Sequence, residues 1–300
     1  MRVLVTGATG FVGGRLAPEL VAAGHDVRAL VRDASSYDPP EGVEVAEGDL
    51  LDAESLTGVF DGVDAAYYLV HSMRAGEGFA ERDRRAARNF AAAADAAGVG
   101  RVVYLGGLGE EGSDLSEHLE SRREVEAVLA NAAFDLTTLR AAVVVGAGSA
   151  SFELVFQLVD RLPVMVTPQW VRTPCQPIAV ADVVAYLVGV LDAPETAGDT
   201  YEVGGPDVLS YQAMLERTAR LAGRRLYVLP IPVLSPSLST YWVDLVTDVP
   251  RSVAHPLIHG LKHPVVVTDD RIRDAVDVDL TPFDVAAERA LRERGVTVDD

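Results

Sequence analysis

The run Thr6-Gly7-Ala8-Thr9-Gly10-Phe11-Val12-Gly13 sets three glycines behind the apolar Val3-Leu4-Val5 and ahead of a helical stretch. Chemistry that needs this spacing is phosphate binding. The chain must turn sharply, bring its backbone against a pyrophosphate and pack a helix closely on a strand, and each job favours a residue without Cβ. The helix then offers unpaired N–H groups and the positive end of its dipole to the phosphates. Gly7, Thr9, Gly10, Phe11, Val12 and Gly13 are therefore expected to hold an intact nicotinamide dinucleotide.

The end of the next strand selects between dinucleotides. A carboxylate there binds a ribose 2′-hydroxyl, whereas an arginine pairs with a 2′-phosphate. Val31-Arg32 occupies that end, which favours NADP(H) over NAD(H). An exposed strand end is the other reading of Arg32; Asp33 follows it directly, and Arg28 lies on the same strand.

Other reactive residues carry less. His255, His259 and His263 recur every four residues and would share one helix face. Pro256 and Pro264 interrupt that reading and no carboxylate completes a ligand set, so no metal is expected. Cys175 has no partner for an intramolecular disulfide. It follows Pro174 in a loop and reads as a buried structural thiol. Phe152, Phe156, Trp170, Tyr241 and Trp242 are candidate walls of an apolar pocket, or plain core.

Short β-branched runs alternating with helical segments must position these groups. Strands are expected at 3–5, 27–31, 43–47, 65–70, 102–105 and 136–146, and helices at 12–23, 55–60, 81–97 and 115–131. Further helices are expected at 152–161, 181–191 and 211–222, with an extended stretch at 163–177, a short strand at 201–203 and an apolar, proline-rich stretch at 226–236. Repeated βαβ units give a parallel sheet covered by helices on both faces. The expected fold class is α/β, a doubly wound Rossmann sheet with a smaller C-terminal region. Residues 1–148, completed by about 176–205, would form the dinucleotide-binding domain. Residues 149–175 and 206–300 would form a substrate or lid region. Ligands then sit beyond the carboxyl ends of the strands, where strand order reverses.

Composition narrows the partners. The net charge is −19, from 45 acidic and 26 basic residues, and Lys262 is the one lysine. A carboxylate surface of this kind resembles proteins of salt-loving archaea, where high salt screens its self-repulsion. A GC-rich genome with an acidic bias is the alternative. Nucleic-acid binding is disfavoured, because phosphate backbones require a basic footprint. No run reaches the roughly 18–20 apolar residues that span a bilayer. The first strand begins at once after Met1, so no signal peptide is expected and a cytoplasmic location is.

With these residues in place, the chain resembles the extended and atypical short-chain dehydrogenase/reductases over roughly residues 1–225. The resemblance rests on TGATGFVG at 6–13, GDL at 48–50, DAAYYLV at 64–70, RVVYLGGLG at 101–109, LRAAVVVG at 139–146 and QPIAVADVV at 176–184. The runs YYLVHSM and HLESRREVE point to the branch of NmrA-like regulators and the 39-kDa-type accessory subunit of respiratory complex I. The resemblance implies that Asp49 and Leu50 meet the adenine. It implies that Val70, His71, Ser72 and Gly106 line the cofactor, and that Gly146 approaches its nicotinamide end.

The same resemblance shows a departure. Hydride-transferring members usually hold Tyr-x-x-x-Lys on the helix after the fifth strand; here that spacing gives His118-Leu119-Glu120-Ser121-Arg122. Gly106 and Gly107 stand where the family has a Ser or Thr. Arg122 remains able to donate to ribose hydroxyls. His118 is either a general acid/base or a helix histidine packed near the cofactor. Two functions follow. One is an NADP(H)-dependent oxidoreductase or epimerase-like enzyme on a small hydrophobic substrate. The other is a non-catalytic dinucleotide-binding regulator or complex I accessory or assembly subunit, with a protein partner or a homo-oligomer possible in either case.

Overall fold

Seven of the apolar runs pair into one parallel sheet. The computed structural model describes residues 1–72, 78–109, 117–231, 246–260 and 263–298. Its main sheet contains β1 (Arg2–Thr6), β2 (Asp26–Val31), β3 (Val43–Glu47), β4 (Ala65–Tyr68), β5 (Arg101–Gly107), β6 (Asp135–Ala141) and, later in the chain, β11 (Thr200–Val203). The spatial order is β11-β6-β5-β4-β1-β2-β3. Strand order reverses between β1 and β4, which is the Rossmann switch point.

Helices α1 (Gly13–Ala22) and α5 (Val180–Asp192) cover one face, where Leu16, Leu20, Val183 and Leu187 meet β1 and β4. Helices α2 (Phe79–Ala97) and α3 (Glu117–Ala130) cover the other with Phe90 and Leu129. Val3, Leu4 and Val5 are fully buried, as a strand covered on both faces requires. Tyr67 donates its hydroxyl to the Leu187 carbonyl at 2.6 Å, joining β4 to α5 through the core.

Beyond β6 the chain builds a second core around Phe152, Met214, Ala254 and Leu291. It contains β7 (Val144–Val145), α4 (Ala150–Arg161), β8 (Val164–Pro168), β9 (Pro174–Cys175), β10 (Ile178–Ala179), β12 (Leu209–Ser210), α6 (Tyr211–Leu221) and β13 (Tyr227–Ile231). β8 and β13 form a separate parallel ribbon with Tyr227 opposite Val164 and Leu229 opposite Val166. Those four side chains are exposed, while Met165 and Thr167 alternate inward.

Several expectations need correction. The run at 136–146 is not one strand: β6 stops at Ala141, and β7 pairs with β10 outside the main sheet. The expected helix at 55–60 is only a turn over Glu54–Leu56, because Gly58 has a positive φ of 77°. Cys175 lies in the short strand β9, not a loop. Pro256 does not end its helix, which runs from Arg251 to Gly260; Pro250, just before it, takes the capping bonds from Val253 and Ala254. Ile272 and Val276, in the stretch grouped with the lid, pack against the α1–α5 face.

Phe90 is fully buried and meets Phe60, Tyr68 and Phe134 edge-on at centroid distances of 5.3, 5.0 and 6.5 Å. Phe90→Ala is expected to lower unfolding free energy by about 3–5 kcal/mol in urea titration. A loss under about 1 kcal/mol would mean that this face collapses to fill the void.

Candidate functional site

The glycine turn leaves no room for side chains. Gly7 has φ +69°, and a Cβ on Gly13 would stand 2.3 Å from the Gly7 carbonyl oxygen. A tight turn is closed by the Gly10 N–H donating to Gly7 O at 2.8 Å. Thr6 Oγ1 donates to Tyr67 O and accepts from Leu69 N–H, which locks the ends of β1 and β4 together at the switch point. No side chain caps α1 and its first turn carries no acid. The N–H groups of Phe11, Val12 and Gly13 have no acceptor among the described residues. A cradle without Cβ atoms, ending in open N–H donors, fits a pyrophosphate.

Arg15 fixes the loop from the other side. It donates to the carbonyls of Phe11 and Ala147 at 3.0 Å each, lies 4.8 Å from the Phe11 ring and pairs with Glu293. A cavity of about 1150 Å³ opens from this loop. That exceeds the roughly 300–1,000 Å³ of an ordinary small-molecule pocket. Its lining brings together Gly7, Thr9, Gly10, Phe11, Val12, Gly13, Arg32, Asp49, Leu50, Val70, His71, Ser72, Gly106, His118 and Arg122, whereas Gly146, expected at the nicotinamide end, is not part of it.

At one end, Arg32 is exposed and makes no hydrogen bond or ion pair among the described residues. Asp33 does not line the cavity. Its carboxylate accepts from Ser35 Oγ and Ser35 N–H at 2.6 and 2.9 Å, and these bonds hold its pKa below the usual range. Arg28 points elsewhere: it is buried, donates to Val59 O and pairs with Glu44. Asp49 accepts from Leu51 N–H through Oδ1 and donates its own N–H to Ser55 Oγ, so the turn holds it rigidly.

In the middle, the ends of β4 and β5 meet α3. The rings of His71 and His118 are 6.1 Å apart and nearly perpendicular. Arg122 Nη1 donates to Leu105 O at 2.9 Å, whereas its Nε is buried without a partner. An orphaned guanidinium donor beside the loop fits a ribose hydroxyl, which would supply the missing acceptor. Gly107 leaves space that α3 uses, since a Cβ there would come within 2.9 Å of Leu119.

Asp83 was missed from sequence. It sits on α2 among arginines and reads as solvent-facing, but Phe79, Asp83, Ala86, Ala87, Phe90 and Ala94 form one buried stripe. That periodicity was the available signal. Its carboxylate accepts from Ser72 N–H at 2.7 Å and Ser121 Oγ at 3.3 Å, tying the loop after β4 to α3. Burial raises its pKa, against the lowering effect of the Ser72 and Ser121 bonds and Arg122.

The far end is an aliphatic chamber. Leu154, Leu158, Met165, Val171, Met214 and Ile258 line it. Phe152 and Phe156 are buried in the second core and do not line it, which is the plain-core reading of these two residues; Tyr241, Trp242 and the Trp170 side chain lie outside the described residues. Burial pushes the Cys175 thiol up to about 12, with Tyr211 as its hydrogen-bond partner, so this cysteine is an unreactive core group. The His255 and His259 side chains also lie outside the described residues, among which no His/Cys/Asp/Glu group has metal-binding geometry. Among them, too, no helix is long and apolar enough to cross a membrane.

Residues 7–194 match the family model described as NAD(P)H-binding. The chain belongs to this NAD(P)H-binding family. It is 26% identical over 299 residues to NADH dehydrogenase (ubiquinone) 1 alpha subcomplex subunit 9, mitochondrial, of Arabidopsis thaliana, covering 93% of this chain and 73% of the relative. It is 30% identical over 226 residues to (4-alkanoyl-5-oxo-2,5-dihydrofuran-3-yl)methyl phosphate reductase of Streptomyces griseus, covering 75% of each. The fold also matches the crystal structure of the Citrobacter sp. triphenylmethane reductase complexed with NADP(H). The TM-score there is 0.78 at 20% identity, over 97% of this chain and 100% of that one.

The electrostatics of His118 generate a pH prediction. Burial, then the nearby Arg122 and His71, push its imidazole from 6.5 down to about 2. The folded pKa lies below the unfolded one, so in this interval the unfolded chain binds the extra proton. The stability this site contributes is present above pH 6.5 and is lost as pH falls below it. In urea titrations between about pH 7 and 4, His118→Gln is expected to flatten the acid side of the stability profile. An unchanged slope would place the His118 pKa near its ordinary value.

Proposed function

We propose that this chain is an NADP(H)-dependent reductase of a small, uncharged, hydrophobic compound carrying a carbonyl or polarised double bond. One observation carries the reading: a single cavity runs from the phosphate-binding glycine turn past His118 and Arg122 into an aliphatic chamber. A structural cofactor needs only the first part of that cavity. The Streptomyces relative is named as a reductase, which supports the same class.

Residues 7–13 would hold the pyrophosphate, Arg32 a 2′-phosphate, Asp49 and Leu50 the adenine, and Arg122 the ribose next to the nicotinamide. The bound dihydronicotinamide supplies a hydride. Arg32 lines the cavity while Asp33 is turned into its own Ser35 cap, which supports a 2′-phosphate meeting a cation there. His118 stays neutral near pH 7, and its imidazole N–H donates a hydrogen bond to the substrate oxygen as negative charge develops there. Solvent, which reaches the exposed His71, would deliver the proton that completes the alcohol or the saturated product.

A second reading keeps the dinucleotide as a structural ligand in a regulator or a respiratory-complex subunit. The match to the Arabidopsis complex I subunit over 93% of this chain favours it. So does the chemistry of the described cavity, where His118 is pushed far down while Tyr104 and Tyr211 are pushed up.

The acidic, lysine-poor composition suits a high-salt milieu, so the test belongs in molar KCl. Titration with NADPH and NADH, followed by nicotinamide fluorescence, is expected to give at least tenfold tighter NADPH binding, about 1.4 kcal/mol. Arg32→Ser should remove that preference without abolishing NADH binding. A screen of hydrophobic ketones and enones is expected to reveal substrate-dependent NADPH oxidation that His118→Ala lowers about 10²–10³-fold in kcat. Tight NADPH binding with no oxidation across the screen would favour the structural reading. Equal affinity for both dinucleotides would remove Arg32 as the selector.

A further inference from the structure

Among the described residues lining the cavity, two buried polar side-chain atoms have no hydrogen-bond partner: Arg122 Nε and Thr167 Oγ1. The first lies at the cofactor end. The second lies in the aliphatic chamber, where no described residue engages it. Thr167 is 4% exposed and its Oγ1 is shielded from water, so a group that pairs with it does so after a small rotation of the side chain toward the chamber. Its orientation follows from strand period: Val164 and Val166 of β8 are exposed, so Met165 and Thr167 face the chamber they line. The other hydroxyls buried around the cavity are engaged. Ser149 donates to Val144 O at 2.6 Å, Tyr104 to Arg122 O at 3.1 Å, and Tyr211 meets the Cys175 thiol.

A buried hydroxyl without a partner carries a desolvation cost, and a valine of nearly the same shape would avoid it. The chamber around it offers no charged side chain among the described residues, so a ligand that paired with it would do so through a neutral group. We propose that Thr167 anchors a hydroxyl or carbonyl on the distal, otherwise apolar end of the substrate. This rests on the reductase reading and narrows its substrate class. The ligand is a lipophilic molecule with two separated oxygen functions, one beside His118 and one at Thr167.

The test compares decalone with its ring-hydroxylated isomers, binding to the NADPH complex by calorimetry. At least one hydroxydecalone is expected to bind about three- to tenfold more tightly than decalone. Thr167→Val should erase that advantage and leave decalone and NADPH affinities unchanged, and Thr167→Ser should restore it. Without ligand, Thr167→Val is also expected to raise the melting temperature by about 1–3 °C, because it removes an unpaired hydroxyl. No preference for any hydroxylated isomer, a preference that survives Thr167→Val, or binding of neither probe type would overturn the proposal. Binding is read without turnover, so hydroxyl-dependent binding with no NADPH oxidation would overturn the reductase reading alone and leave Thr167 standing.

Discussion

Everything in the site depends on one close approach. The Gly7 carbonyl lies where any side chain at residue 13 would have to be, and α1 starts there, directly over the end of β1. Only a chain without Cβ atoms can place a helix N-terminus this near the sheet. That nearness makes the open N–H groups of residues 11–13 face the switch point between β1 and β4. Thr6 then locks the two strand ends, and Arg15 holds the turn to the start of the second core through Ala147. The cavity inherits its position from this arrangement, and α2, α3 and the second core close around it.

Electrostatics work at two ranges. The whole molecule carries −19, which repels an anionic dinucleotide at long range. Around the cavity, Arg15, Arg32, Arg82 and Arg122 outnumber Asp49 and Asp83. High salt would screen the distant carboxylates beyond a few ångströms and leave the contacts with the cavity arginines, so acidity at the surface and anion binding within are compatible. In the same centre burial keeps His118 neutral, and Arg122 adds to that effect.

Much of this was legible in the amino-acid sequence because the relevant constraint is local. The glycine turn, the first five strands and helices α1 to α3 follow from Cβ sterics and apolar period, whereas the break at residue 141 and the turn at 54–56 do not. Of the residues carried over from the dehydrogenase/reductase resemblance, all but Gly146 line one cavity for the same reason, since each sits at a strand end or in the first turns of a helix. What escaped depends on tertiary pairing. Asp83 looks solvated in an arginine-rich helix and is buried only because Ser72 and Ser121 arrive from elsewhere in the chain. Thr167 faces inward only because β8 pairs with β13, some sixty residues on, in a particular register. The aromatic residues of the second half read as pocket walls or plain core from sequence; Phe152 and Phe156 support the core, and flexible aliphatics line the chamber.

The β8–β13 ribbon shares no ladder with the seven-strand sheet, yet it supplies Met165 and Thr167 to the chamber. Its backbone hydrogen bonds therefore close among themselves, and a change of length or curvature there does not propagate into the strands that carry the phosphate turn. Such a wall is one residue thick, with Val164, Val166, Tyr227 and Leu229 on its outer side. The glycine turn is held by steric constraints that leave no room for a side chain at residue 7 or 13. The ribbon can exchange inward side chains one at a time and reshape what the chamber accepts, while the cofactor geometry stays as it was.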